Sequence, residues 1–379
     1  MRIAIITFHR AYNCGALLQA WALKTVLERL GHSVEFPICN HVGSFRSFHF
    51  LRHMSLSGKS PAQKFVSIFG RAYLDALALL GLMSPKRQYD RLRRKLLRER
   101  RCKPGSFARF YDCCVIGSDQ VWNPVIAEEY AGICMGAAIP DGLPLVAYAA
   151  SCGDTPLDEE YLKRLGGVLG RHVRVSAREP YTREQVSRYY SGRVDVVADP
   201  TLLLRMEDYA AIRAPIKRAR PYIYVYALWA TEFIVRTAEE IARRKGLDLV
   251  VTPVYSHIND GVADRFEMNV TPDRMVGYIA GAEYVIAASF HGTALSLVHG
   301  KKFLSLRDKR DAHESRPSAL LRQVGMSDRL AFPDMTVDEM IVCLDREYPP
   351  EAEKRLEKFR QESLRWLEEA LGSIEGERK

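Results

Sequence analysis

The chain has no charge-free apolar run approaching the length of about 18 residues that a membrane span needs; its best stretch, Tyr73 to Pro85, is short and broken by Asp75. It also lacks a Cys-x-x-Cys pair and a Gly-x-Gly-x-x-Gly turn, which argues against a redox or zinc motif and against a dinucleotide site. Its 8 cysteines are scattered, and Cys113 and Cys114 are neighbours inside an apolar strand pattern, so they read as reduced core residues. Cys, His and carboxylate residues do not cluster as a zinc site would require, so no metal is expected. The opening Met1-Arg2-Ile3-Ala4-Ile5-Ile6 runs straight into a strand without the basic stretch, apolar core and small-residue cleavage site of a signal peptide, and the expected location is the cytoplasm.

What is present is an ordinary globular composition, with 47% hydrophobic and 27% charged residues over 379 positions, enough for two domains and a cleft between them. The net charge of +9 is not spread evenly. Lys86 to Lys103 holds ten lysines and arginines against Asp90 and Glu99, and the remainder is almost neutral. This run reads as a solvated helix face with Leu92, Leu96 and Leu97 turned inward, or as a landing patch for anionic lipid at the inner membrane face or an acidic polymer. Nucleic acid is not expected, because no stacking aromatics beyond Tyr89 are interleaved with the cations.

Short β-branched runs alternate with helical patterns along the whole chain. Arg2 to Phe8, Ser33 to Pro37, Tyr111 to Ile116, Leu145 to Ala150, Val173 to Ala177 and Val194 to Ala198 are expected strands, with a helix over Ala16 to Leu30. A polar stretch from Arg205 to Pro221 links these to a second series, Tyr222 to Leu228, Leu247 to Thr252, Tyr284 to Ala287 and Lys302 to Leu306, with helices at Glu232 to Lys245, Pro272 to Ala280 and His291 to Val298. Such alternation predicts α/β architecture with two doubly wound parallel sheets. The expected division is a first domain over 1–204 with a basic helical segment at 60–104, a second over 205–348, and a C-terminal amphipathic helix over 349–379 packing back on the first.

Ligands of doubly wound sheets bind beyond the carboxyl ends of the strands, so the residues just after each strand are the candidates. Asn13-Cys14-Gly15-Ala16 leads into a helix and offers small residues and free amides to an anion, unless it is an ordinary turn. Gly117-Ser118-Asp119-Gln120-Val121-Trp122-Asn123 offers a carboxylate that can accept a proton from a hydroxyl and, in Trp122, a flat surface for a sugar ring; alternatively Asp119 caps a helix. Arg178, at the end of Val175-Ser176-Ala177, can grip a carboxylate or phosphate or pair with Glu179. Asp199, Pro200 and Thr201 occupy the same place one strand later and read as a cap of the domain rather than as chemistry. Ser289-Phe290-His291-Gly292-Thr293-Ala294 places an imidazole at a helix start, where amides, a positive dipole end and a proton-transfer group coincide.

Taken in order and spacing, Asn13-x-Gly15-Ala16-x-Leu18-Gln19-Ala20, Gly117 to Asn123, Ala147 to Ser151, Ser176-x-Arg178-Glu179, Asp199 to Leu203 and Ser289 to Thr293 resemble the polysaccharide pyruvyl transferase family over most of the chain. The resemblance implies a fold similar to GT-B glycosyltransferases, with the acceptor on the first domain and the donor on the second. It also implies transfer of a pyruvyl group from phosphoenolpyruvate to two hydroxyls of a sugar of a bacterial surface polysaccharide or its lipid-linked precursor, giving a ketal and phosphate without a cofactor. By similarity His291 is the acid/base residue, Arg178 the anion clamp and Asp119 a base or sugar ligand. Asn13, Gly15, Ser118, Gln120, Trp122, Ser289, Gly292 and Thr293 are expected to line the substrates.

One departure concerns the donor. Characterised members carry an arginine two residues before the histidine, where this chain has Ser289; Arg307, Arg310 or Arg316 can supply the cation from the loop after the next strand. A sugar-nucleotide glycosyltransferase of the same fold is the competing enzyme, without an Asp-x-Asp motif to support a metal-dependent form. A non-catalytic protein binding anionic lipid or polymer through Lys86 to Lys103 is the competing non-enzyme.

Overall fold

The computed structural model describes residues 1–39, 85–127, 130–154, 156–256, 267, 270–308 and 314–377. Arg310, the Tyr73 to Pro85 stretch up to residue 84, and residues 60–84 of the expected basic segment lie outside them.

Two all-parallel sheets carry the fold. The first contains β1 (Arg2–Ile6), β2 (Ser33–Ile38), β3 (Glu99–Arg101), β4 (Cys113–Ile116), β5 (Leu145–Ala150), β6 (His172–Ala177) and β7 (Val194–Val196), in the order β3-β2-β1-β4-β5-β6-β7. The second contains β8 (Tyr222–Ala230), β9 (Asp248–Ser256), β10 (Tyr284–Ala288), β11 (Lys302–Leu306) and β12 (Leu330–Ala331), in the order β12-β11-β10-β8-β9. In each sheet the chain builds outward on one side, then returns to build on the other. The reversals fall between β1 and β4 and between β8 and β10, which is where a doubly wound sheet opens a crevice.

Burial explains the sequence pattern. β4 and β5 are buried at every position, as expected of strands covered by helices on both faces. Two expected strands run longer than their apolar cores: β8 and β9 stay in parallel register from Tyr222 opposite Asp248 to Ala230 opposite Ser256. Two edge strands were not expected. β3 and β12 are very short, and β3 reads Glu-Arg-Arg, so it has no apolar run to announce it. The basic stretch is therefore not one helix: a helix over Pro85–Leu96 gives way to an edge strand. Cys102 is only partly buried, unlike the other cysteines.

One hydrophobic core lies between the sheets. It joins Leu17, Trp21 and Leu23 of helix α1 (Cys14–Arg29) to Tyr224, Met275, Phe290 and Leu295 of the second sheet's layer and to Leu356, Trp366 and Leu371 of the C-terminal helix. That helix, Pro350–Glu377, lies against the first sheet. Ser363 Oγ accepts from the Ala198 amide at 2.8 Å, Arg360 Nε donates to Leu202 O at 2.7 Å, and Trp366 Nε1 donates to Asp195 Oδ2 at 2.8 Å. Among the described residues no helix is long and apolar enough to cross a membrane.

Candidate active site

The two crevices face one another, and a helix starts from each. α1 begins after β1 with Asn13 as its cap, the side chain accepting from Ala16 N at 3.2 Å. The helix Phe290–Val298 begins after β10 with Ser289 as its cap, the side chain accepting from Gly292 N at 3.1 Å. Thr293 Oγ1 bonds Ser289 O and Ser305 Oγ, each at 3.0 Å, tying this helix start to β11. The starts are so close that a Cβ at Gly15 would lie 2.1 Å from His291 Nδ1. Only glycine leaves room for the imidazole there.

The other face of the imidazole looks onto charge from the first sheet. His291 Nε2 stands 3.8 Å from Asp199 Oδ2, within ion-pair range but beyond a hydrogen bond, and it is buried without a hydrogen-bond partner. Asp199 divides its labour between two oxygens. Oδ1 caps the short helix Pro200–Leu203 by accepting from Thr201 N at 2.9 Å and Thr201 Oγ1 at 2.7 Å. Oδ2 accepts from Ser118 Oγ at 3.0 Å and Arg178 Nη1 at 3.1 Å while facing His291. Burial opposes the charge on Asp199, but His291, Arg178 and the Thr201 amide more than offset it and hold the carboxyl well below the usual carboxylate range.

Arg178 is the hub of this charge. Besides Asp199, its Nη1 meets Asp119 Oδ1 at 3.5 Å and its Nε meets Glu179 Oε2 at 3.4 Å, and the guanidinium lies 4.4 Å over the Phe290 ring. Burial disfavours its charge, but Glu179, Asp199 and Asp119 together raise it, so the guanidinium is permanently protonated. Three carboxylates against one guanidinium leave the cluster anionic. Arg178 thus makes the alternative ion pair with Glu179 and two more besides, and of its guanidinium nitrogens Nη2 is buried without a hydrogen-bond partner. Glu179 is fixed in turn by Ser151 Oγ at 2.7 Å and by Thr182 Oγ1.

The remaining expected residues separate into those near the site and those that support it. Asp119 reaches Arg178 from a left-handed backbone (φ 71°), a conformation a non-glycine residue adopts at some cost, and it caps no helix. The single Ser118 hydroxyl proton is shared between Asp199 Oδ2 and Ala149 O, which lies 2.9 Å from Oγ, so that donor is spent inside the protein. Trp122 is fully buried, at 0% exposure, packed in the core with Ile116, Val121 and Ala150, and it offers no face to a sugar. Thr293 is likewise fully buried and saturated. Gln120 holds its own turn, accepting from Asn123 Nδ2 at 3.0 Å. Gly292 lets Ser289, Ala287 and Tyr226 pack against its helix start.

Arg316, at the start of the helix Arg316–Val324, lines a recess with Arg178, Asp199, Phe290 and Arg322. Its Nε is buried without a hydrogen-bond partner, and its Nη2 lies 3.6 Å from Asp154 across the cleft. Asp199 is the residue the sequence reading undervalued. Its position shortly after a strand, like that of Arg178, was the available signal; its Pro-Thr neighbours concealed it because they spell a cap, and it is a cap as well. Among the described residues no group of three His, Cys, Asp or Glu is placed to hold a metal ion.

Two doubly wound sheets facing across a cleft, joined by a returning C-terminal helix, define a GT-B-like α/β protein. A sequence model of polysaccharide pyruvyl transferases matches residues 13–309, and the chain belongs to that family. The match spans Asn13, Asp119, Arg178, Asp199 and His291. Among solved structures, Arabidopsis thaliana UGT89C1 complexed with UDP-L-rhamnose superposes with a TM-score of 0.50 at 12% identity, covering 99% of this chain and 97% of that one. UDP-GlcNAc 2-epimerase from Neisseria meningitidis, bound to UDP-GlcNAc, gives 0.47 at 12% identity over 98% and 100%. At such identities the likeness concerns the fold alone. No curated relative matches the chain in sequence.

Proposed function

We propose that the protein transfers a pyruvyl group from phosphoenolpyruvate to a pair of hydroxyls on a sugar of a surface polysaccharide or its lipid-linked precursor. The observation that carries this reading is His291: an unpaired imidazole nitrogen facing a buried carboxylate, at the meeting of two helix starts, in a chain of this family.

The reaction needs a proton donor, a proton acceptor and a site for two anionic groups. A proton added to the methylene carbon of phosphoenolpyruvate makes the adjacent carbon electrophilic. One sugar hydroxyl attacks that carbon, and the second displaces phosphate. One hydroxyl proton ends on the new methyl group and the other on the departing phosphate, so the reaction balances without a cofactor. His291 is the acid/base residue, positioned by Asp199; Asp119 is the base or sugar ligand. The unpaired Nη2 of Arg178 and the side chain of Arg316 meet the donor's carboxylate and phosphate, Arg316 in place of the arginine that Ser289 replaces.

Incubation with phosphoenolpyruvate and a panel of nitrophenyl and lipid-linked sugars tests this, read by phosphate release and the mass of the sugar product. Release coupled to a ketal-bearing sugar is the expected outcome. No release with any sugar, together with nucleoside diphosphate release from a sugar nucleotide, overturns it.

A further inference from the structure

The excess positive charge of the chain is concentrated on one surface that the active site does not use. The helix Pro85–Leu96 turns Tyr89, Arg93 and Leu96 inward, where all three are buried. Arg91, Arg94 and Lys95 point outward, and Arg98, Arg101 and Lys103 continue the exposed face across β3 and beyond it. The two acids of the run are engaged by inner partners. Asp90 meets Arg93 at 3.0 Å, and Glu99 meets Arg93, His9 at 3.3 Å and Arg10 at 3.3 Å. Within the run the exposed residues are therefore of one sign, and Glu35 of the adjoining β2 is taken up by Arg100, whereas a merely solvated helix commonly alternates signs along its face. Like charges gathered this way repel one another and attract an extended anionic surface.

We propose that this face docks the first lobe on an anionic lipid bilayer. The cations lie along an outer helix and the outermost strand of the first sheet, a face suited to a flat headgroup layer. They lack the aromatic platforms that single-stranded nucleic acid needs: Tyr89 and Phe107 are buried, and Phe110 lies under the Arg100 guanidinium, 5.0 Å from it. The inner side of the same helix grips the start of α1, with the Tyr89 hydroxyl donating to Asn13 O and Tyr12 donating to Asp90 Oδ2 at 3.3 Å. Docking thus sets the loop that carries Gly15, and with it His291, beside a membrane from which a lipid-carried sugar can be presented. The inference concerns where the protein sits and stands whatever the donor proves to be.

Flotation of the full-length protein with vesicles of phosphatidylcholine alone or mixed with phosphatidylglycerol tests it. The wild type is expected to float with the anionic vesicles only and to be released by added salt. At roughly fivefold in affinity per cation, the variant carrying Arg91→Gln, Arg94→Gln, Lys95→Gln and Arg98→Gln is expected to bind about 10²–10³-fold more weakly while melting at the wild-type temperature. A second variant, Arg101→Gln with Lys103→Gln, lies outside the helix and keeps the test open should the first fail to fold; its affinity is expected to fall about 25-fold. Equal binding to both vesicle types, no binding to the anionic ones, or folded variants that bind like the wild type overturns the proposal. Variant-sensitive binding of heparin or duplex DNA without vesicle binding reassigns the face to a soluble polyanion.

Discussion

Two helix starts meet at the centre of this protein, and they are alike in nearly everything except what they present. Each follows a strand at the reversal point of its sheet, and each is capped by a side chain three residues ahead of the amide it satisfies, Asn13 for Ala16 and Ser289 for Gly292. The first presents bare backbone at Gly15; the second presents the His291 imidazole, which occupies the space a side chain at Gly15 would fill. The difference teaches that the site is divided by function. In the proposed reading the second lobe brings the acid/base imidazole, while the first lobe brings the buried charges of Asp119, Arg178, Glu179 and Asp199 that surround it.

The largest expected effect breaks that division at its moving part. His291→Ala should lower phosphate release by about 10²–10⁴-fold, the range for loss of a general acid or base, with the melting temperature close to wild type. Turnover near the wild-type rate would show that the imidazole is a packing group.

The next effect falls on the first lobe's side. Asp199→Asn removes one partner from a buried ion network and should cost about 3 kcal/mol in denaturant unfolding, with a matching loss of turnover. Its pH signature is distinctive. Burial pushes His172 and His299 down to about 4, so the folded state refuses protons that the unfolded chain takes up below about pH 6.5. Their contribution is complete above that pH and declines as the pH falls toward 4. The Asp199 carboxyl is held low in the fold, so its contribution is present above about pH 4 and is lost only on further acidification. Thermal melts across pH should therefore show Asp199→Asn flattening the lower part of the acid limb and leaving the upper part intact.

A smaller effect probes the contact between the two starts. Gly15→Ala drives a Cβ into His291 and should cost about 1–3 kcal/mol as well as turnover. Gly292→Ala should be milder, because its Cβ would meet Ser289 Oγ at 3.0 Å and Ala287 Cβ at 3.1 Å rather than the imidazole. Equal losses of turnover in the two variants would dissolve the asymmetry. Smallest of all, Asn13→Ala and Ser289→Ala should each cost about 1 kcal/mol as lost caps. A far larger loss of turnover for Ser289→Ala would assign its hydroxyl to the donor.

Most of the fold was legible because parallel strands buried on both faces must be apolar throughout, and the helices between them must carry a stripe. What escaped was short and polar. β3 is held by register with β2 at Phe36 and Ile38, not by any apolar content of its own. Within the site, His291, Arg178 and Asp119 were visible as polar residues at the ends of apolar strands, yet what they touch was not. Trp122 reads as a sugar platform in sequence and is core in three dimensions, since a single turn decides which side of the sheet it enters. Asp199 reads as a cap and is also the partner of His291, since one carboxylate has two oxygens and sequence cannot tell where the second one points.

The sequence by itself determined the alternation of strands and helices, the two helix starts with their caps, and the concentration of positive charge in one run. These follow from local periodicity, backbone hydrogen bonding and composition. Only the tertiary structure decided that Gly15 and His291 occupy one place, that Arg178 is shared by three carboxylates, and that the acids of the basic run turn inward. Those are distances between residues from different strands and different lobes, set by how sheets twist and pack, and no local pattern encodes them.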